Sequence, residues 1–518
     1  MKLNKLYTLL IVAFMFISAY PAEITTLLSG NWSDPTVWSA GVVPTASDNV
    51  TINDTHLITL DVADAAVNNL TVGNGISGSF LTSKTLAGKL IINGNLVIMA
   101  GGTFKTQTST VGLLLHTLTI YGNITNNGGF LALRNGSTSA SPQTLAVMNT
   151  VFLGATNSTV TMGAYITSTN TGFNGITLNK TGVAKVVLGS DMICAGAASA
   201  AASADPIFTF TNGLLETGAF TIVCQSTTTA TVGAGSATSY ISGNLARGMS
   251  NSAGKLGTFP IGDSKGYRPV QVKTSTSGVA TGHYVRVGCI SGNANNSSVF
   301  SDGLIDKVSS VRYFKVSYGR LPIAAAAPDT IGIDSFRPSY GDGDGVGTGN
   351  SNLRTAYSFD ERATWLTLHD NYPDVTAPSA TPVYLPSDTL VPAIFVKENG
   401  KSIYFTLARL TGTTDNTLTE TATLVRENQV AKSFVLEQNY PNPFNPSTSI
   451  SYEITSGAMT SLRIYDVMGR EVSSLVNEFQ QPGRYTARFN ASSLASGVYM
   501  YKLTSGNLSV TKKMSLLK

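Results

Sequence analysis

The chain has 518 residues, of which 42% are hydrophobic and only 12% charged, about half the roughly 25% charged share of an average soluble protein. Such a balance excludes a disordered polyelectrolyte and leaves solubility to Ser, Thr, Asn and Gly. The formal charge of +4 arises wholly from Lys432 onward, where nine basic residues meet five acidic ones; without a basic cluster elsewhere, nucleic-acid binding is not expected.

Lys2 and Lys5 precede the apolar run from Leu6 to Ala19, the charged end and short apolar core of a secretory signal peptide, expected to occupy residues 1–22. A membrane anchor needs about 20 apolar residues, and Pro21 and Glu23 arrive too soon. No later run is long enough, so no membrane span is expected in the mature protein. Three cysteines, Cys194, Cys224 and Cys289, are too few for a disulfide framework. Cys194 and Cys224 can pair if they lie on neighbouring coils, but buried free thiols are the expected state.

Residues 23–239 read as a right-handed parallel β-helix with an N-terminal cap. Short β-branched runs such as Leu70-Thr71-Val72, Leu96-Val97-Ile98 and Val186-Val187-Leu188 are broken by Gly and Asn, with no helical period. One unit recurs at an offset of 28 residues: Leu90-Ile91-Ile92-Asn93-Gly94-Asn95 matches Leu118-Thr119-Ile120-Tyr121-Gly122-Asn123, each followed by a Gly-Gly pair and a Phe. Phe208-Thr209-Phe210-Thr211-Asn212-Gly213 is a weaker echo. A coil of this length cannot bury its apolar face alone and stacks on its neighbour, with Gly and Asn at corners because they tolerate positive φ. Seven to nine coils at about 4.8 Å spacing make a rod on the order of 40 Å long. Its open first coil needs a cover. Residues 30–61, with Trp32 and Trp38 and the runs Asp48-Asn49-Val50-Thr51-Ile52 and Leu57-Ile58-Thr59-Leu60-Asp61, supply one. This opening resembles the N-terminal part of many bacterial surface β-helix proteins and, more loosely, the extracellular domain named for its eight glycines. Sugar stacking by the two tryptophans is the competing reading to packing.

Residues 240–412 alternate apolar and polar side chains, as in Tyr267-Arg268-Pro269-Val270-Gln271-Val272 and His283-Tyr284-Val285-Arg286-Val287, the pattern of half-buried antiparallel strands, here a β-sandwich. Residues 413–431, rich in Thr, Asn and Glu, read as a linker. Residues 432–518 form a small all-β module with a proline-rich start, Asn439-Tyr440-Pro441-Asn442-Pro443-Phe444-Asn445-Pro446, a hairpin turn at Asp466-Val467-Met468-Gly469-Arg470, and later blocks Gly497-Val498-Tyr499-Met500-Tyr501-Lys502-Leu503 and Lys512-Lys513-Met514.

These blocks, covering about 85 residues, closely resemble the type A C-terminal sorting domain of the bacterial type IX secretion system, a small immunoglobulin-like β-sandwich. The resemblance implies two-step export: the signal peptide crosses the inner membrane, the tail guides the folded cargo across the outer one, and the tail is often cleaved in the linker. The product is then released or attached to surface lipopolysaccharide. The secretion machinery is thus an expected partner, with cell-surface or matrix glycans as further candidates. An address carries no information about cargo chemistry.

Catalysis on a β-helix needs carboxylates as acid, base or calcium ligands, and no Asp or Glu occurs between Asp64 and Asp191. His116 stands in an apolar run and is expected to be packed. Gly73-Asn74-Gly75-Ile76-Ser77-Gly78 matches G-x-G-x-x-G, but Ser79-Phe80-Leu81-Thr82 starts no helix, so dinucleotide binding is rejected. Asp342 and Asp344 lie on a Gly-rich loop that would suit a hard cation, yet Val346 and Leu353 stand where an EF-hand needs ligands; an unliganded surface loop is expected. No Cys/His cluster suggests zinc. The reading is therefore a non-enzymatic extracellular structural or adhesive protein, with no catalytic, metal or cofactor residues assigned. The alternatives are a polysaccharide lyase or hydrolase using Asp48, Asp54, Asp61, Asp64, Asp302 or Asp306, and a glycan-binding module without catalysis.

Overall fold

A computed structural model describes residues 21–107, 109–111, 114–131, 146–163, 172–194, 207–224, 232–248, 256–274, 283–294, 299–320, 330–348, 351–368, 378–379, 381–385, 394–397, 400–419, 434–455, 458–480, 483–491, 494–506 and 508–517. The expected signal peptide lies almost wholly outside them. The described chain is all-β, its one helical element being the 3-10 turn Pro35–Val37.

Three strands recur in rotation. Ser79–Thr82, Lys89–Ile92 and Leu96–Ile98 are followed by Thr103–Lys105, Leu114–Ile120 and Ile124–Asn126, and each strand pairs in parallel with its counterpart in the next turn of chain. Phe104 lies between Phe80 and Phe130, Leu118 between Leu90 and Thr150, and Ile124 between Leu96 and Val160. The repeat seen in the sequence is thus the pairing register itself, and the weaker echo, Phe208 and Phe210, pairs with Ile176 and Leu178 in the same sheet as Leu118.

Alternation sends Leu90, Ile92, Leu96 and Ile98 inward, all essentially buried. An aromatic file runs through the interior: Trp38 meets Trp32 edge-on at 5.0 Å, then Phe80, Phe104, Phe130 and Phe173 follow at centroid spacings of 6.1, 4.7, 5.6 and 4.8 Å. Both tryptophans are buried at the first coil, so neither offers a ring face to a sugar. One corner is an asparagine ladder. The Oδ1 of Asn69 accepts the Asn95 N–H at 2.7 Å, that of Asn95 accepts the Asn123 N–H at 2.9 Å, and that of Asn123 accepts the Thr159 N–H at 2.7 Å. Glycine precedes two of these asparagines because coils touch there: a Cβ on Gly122 would stand 2.3 Å from the Gly94 carbonyl oxygen.

The parallel stack does not stop at residue 240. Ile241–Ser242 and Ile261–Asp263 extend the same sheet in parallel, while Asn244–Arg247, parallel to Ile222–Cys224, takes His283–Ser291 on its other edge in antiparallel sense. From there the sheet grows through Arg312–Arg320, Ile403–Leu410 and Leu353–Ser358. A four-stranded antiparallel sheet made of Leu256–Phe259, Val270–Thr274, Thr330–Arg337 and Ile394–Lys397 packs against it, with the Phe336 ring stacked on Phe405 at 4.0 Å. One apolar core runs from Ile24 to Phe405. Within the stretch expected as linker, residues 413–419 pack on this body: Leu418 is buried and its N–H reaches the Gly345 carbonyl at 2.9 Å. Residues 420–431 lie outside the described residues.

The C-terminal module has its own core, from Leu436 to Leu516, between a three-stranded sheet and a four-stranded antiparallel one. The turn expected at 466–470 is present: Gly469 has φ +78° and Asp466 Oδ1 accepts the N–H groups of Met468 and Arg470.

Candidate functional site

The candidate carboxylates are the first groups to place, because the chemistry of any enzymatic reading depends on them. Asp48 Oδ2 accepts the Thr45 N–H and hydroxyl at 2.8 and 2.7 Å. Asp61 accepts the Ser33 N–H and hydroxyl at 2.9 and 2.5 Å, tying the cap to the next coil. Asp54 Oδ1 accepts N–H groups of Asn74, Ile76 and Ser77 at 3.0, 3.3 and 2.9 Å. The loop that matches a phosphate-binding motif therefore does cradle an anion, but the anion is the chain's own. The Ser77 N–H above all holds the Asp54 carboxyl below the ordinary range. Asp64 is exposed at the start of its strand. In the second part, Asp302 accepts N–H groups of Leu304 and Thr367, and Asp306 pairs with Arg409 Nε at 2.9 Å and takes the Gly412 N–H. These bonds fasten turns.

The Gly-rich loop at 340–347 departs from the expected surface loop. Asp344 is fully buried, its two oxygens bound to Arg268 Nε at 2.5 Å and Arg312 Nε at 2.9 Å; Arg312 Nη1 also meets Asp263 at 2.7 Å. Burial opposes the charge on Arg312, but Asp344 and Asp263 outweigh it and raise its pKa. Arg268 Nη2 donates to the Asp342 carbonyl at 2.6 Å, while the Asp342 side chain is exposed. A cation would have to displace two guanidinium groups from Asp344, so the two carboxylates do not form a joint ligand set. Among the described residues no group of three or more His, Cys, Asp or Glu is placed to hold a metal.

Inside the parallel stack, His116 is 1% exposed and its Nδ1 accepts the Gly88 N–H at 3.0 Å, which makes Nε2 the protonated nitrogen. Burial lowers its pKa to about 4. Nε2 has no partner. Lys180, which the sequence did not single out, is wholly buried, and its ammonium donates to Leu153 O at 2.6 Å, Ser158 Oγ at 2.7 Å and Tyr121 O at 3.2 Å. Burial lowers it to about 8. A Ser–Lys pair at this distance has the composition of a nucleophile and base, but both side chains are sealed and the amine is committed to two carbonyls, so it staples coils. The three cysteines are buried thiols in the structure. No local pattern marks a staple of this kind in the sequence.

In the C-terminal module the proline-rich segment lies against the last strand. The Phe444 N–H donates to Ser515 O at 3.0 Å, the Leu517 N–H returns to Phe444 O at 3.0 Å, and Asn442 Oδ1 accepts the Ser515 N–H at 2.9 Å. Gln438 reaches Lys513 O at 2.8 Å, and Asn439 links the Pro441 carbonyl and the Thr448 hydroxyl at 3.0 Å each. An open cleft of about 390 Å³ beside this segment is lined by Tyr440, Pro441, Thr448 and Phe489 among others.

The family model for the secretion system C-terminal sorting domain matches residues 438–516, the stretch these contacts hold together. A chain with this tail is sorted by type IX secretion, with its machinery as partner, to the cell surface or extracellular space. No curated protein and no solved structure matches the chain.

Proposed function

We propose that the protein is a non-enzymatic structural or adhesive component of the cell surface or its matrix. Its body is a right-handed parallel β-helix with a tryptophan-sealed first coil, continued by a β-sandwich and ending in an immunoglobulin-like sorting domain. Three parallel stacks visited in rotation, the asparagine ladder and the aromatic file support the β-helix reading. The observation that carries the function is the use of the carboxylates: Asp48, Asp54, Asp61, Asp302 and Asp306 each hold a turn or a coil junction. Glycoside hydrolysis by contrast needs two carboxyl groups about 5–9.5 Å apart across an open substrate position.

Purified secreted protein incubated with a panel of acidic and neutral polysaccharides should release neither unsaturated ends nor new reducing ends. Turnover abolished by Asp48→Asn or Asp302→Asn would establish the enzyme instead. Glycan binding without catalysis has one observation in its favour: Phe359 is 45% exposed and meets Tyr357 edge-on at 5.3 Å. Glycan-array binding lost in Phe359→Ala would favour that reading. Tail removal is read from the intact mass of the secreted product.

A further inference from the structure

Cys194 and Cys224 occupy matching positions in successive coils. Met192–Cys194 and Ile222–Cys224 pair in parallel with Cys194 directly beside Cys224, and both side chains enter the core at 0% and 1% exposure. Neighbouring strands bring the Cα atoms to about 4.8 Å, inside the roughly 4.4–6.8 Å window of disulfides. In-register parallel neighbours also send their Cβ atoms to the same face, and here the thiols hydrogen-bond one another. Cys289 lies on another strand, beside Phe314.

We propose that Cys194 and Cys224 form a disulfide in the exported protein, covalently joining two coils, and that Cys289 stays a thiol. The inference rests on the export reading, because a chain leaving the cytosol passes through a compartment where disulfides form and persist. The oxidant is a thiol–disulfide exchange protein. One cysteine thiolate attacks its disulfide to give a mixed disulfide, and the second thiolate attacks that first cysteine's sulfur. The carrier leaves as a dithiol, having taken two electrons, and the pair has lost two protons.

Timing follows from burial. In the folded coil both thiols are sealed, and burial, with Cys224 adding to it, raises the Cys194 thiol well above its ordinary value, so the attacking thiolate is scarce. Oxidation therefore precedes closure of these coils, and the folded disulfide is shielded from reductants. The structure shows the buried free thiols expected from the sequence; the bridge is proposed for the exported protein.

The test counts thiols. Protein recovered from medium and cell fractions is unfolded in denaturant with a maleimide and weighed intact, with and without prior reduction. Without reductant one label is expected, on Cys289; after reduction, three; and a peptide pair joined at Cys194 and Cys224 should appear, lighter by two hydrogens. The fraction holding the protein reports export separately. The same count on chain refolded in a glutathione redox buffer reads the pairing whether or not export occurs. Three labels without reductant in the exported protein, or in refolded chain where none is exported, would overturn the proposal. Cys194→Ser should give two labels and no bridge; a Cys224–Cys289 bridge in that variant would also overturn it, since pairing would then not follow register.

Discussion

Acidification should weaken the parallel stack through His116. In the folded chain its pKa is lowered from 6.5 to about 4, so the folded state binds the proton more weakly than the unfolded one. The associated stability is complete above pH 6.5 and is lost as pH falls toward about 4. At about 1.36 kcal/mol per unit, the shift corresponds to about 3 kcal/mol. The cause is visible: protonation places an N–H on Nδ1, facing the Gly88 N–H that it now accepts at 3.0 Å, and puts a charge into a buried position. His116→Asn keeps an acceptor oxygen near the Nδ1 position but cannot titrate. Urea midpoints followed by the emission of Trp32 and Trp38, which share the core with this coil, are to be compared from pH 7 to pH 4. Wild type should lose about 3 kcal/mol more than the variant across that range, whatever the offset between them at pH 7. Parallel losses would refute the reasoning.

Lys180 acts at the other end of the scale. Its folded pKa of about 8 lies below the unfolded 10.5, so stability is full above 10.5 and is lost as pH falls through about 8; Lys180→Met should remove the alkaline gain seen in denaturant midpoints between pH 8 and 10. Asp344→Asn leaves Arg268 and Arg312 short of their shared counter-ion and should cost about 3–5 kcal/mol in chemical denaturation. Gly122→Ala drives a Cβ to 2.3 Å from the Gly94 oxygen and should cost about 1–3 kcal/mol, read as a lower melting temperature. Asp54→Ala frees the N–H groups of Asn74, Ile76 and Ser77 and should open a protease-sensitive site near Ile76, while the secondary structure seen by circular dichroism stays in place.

What the sequence discloses is what repeats or is local. Leu90 and Leu118 announce their pairing because the same inward position recurs one coil later, and the Gly-Asn corners announce a ladder. The tail motif is legible because its proline-rich segment and its last strand each carry a fixed pattern, although their hydrogen bonds span some 70 residues. The ionic knot is illegible for the opposite reason. Asp344 reads locally as a cation loop, and only the fold brings Arg268 and Arg312 to it from 76 and 32 residues away. Polar composition likewise made 413–419 look like a linker, whereas the single apolar Leu418 fills a pocket among Tyr340, Leu353 and Leu407. Lys180 gives no signal, since its acceptors are two backbone carbonyls and one serine.

The contrast between the two parts of the body bears on chemistry. Inside the parallel stack, burial drives three ionisable groups toward their neutral forms: His116 and Lys180 are lowered and Cys194 is raised. A repeated coil offers each interior position only its counterparts above and below, so a charge placed there meets no opposite charge unless the repeat is broken. Charged pairs survive deep in the body where antiparallel strands replace the repeat, and there they are matched, as Arg312 is by Asp344 and Asp263. Proton transfer needs the reverse arrangement, a charged or readily charged group open to substrate. The repeat that lets the parallel stack extend is therefore also what keeps acid–base groups in its interior neutral and sealed, and new chemistry on such a scaffold has to begin at the corner loops or beyond the last parallel strand.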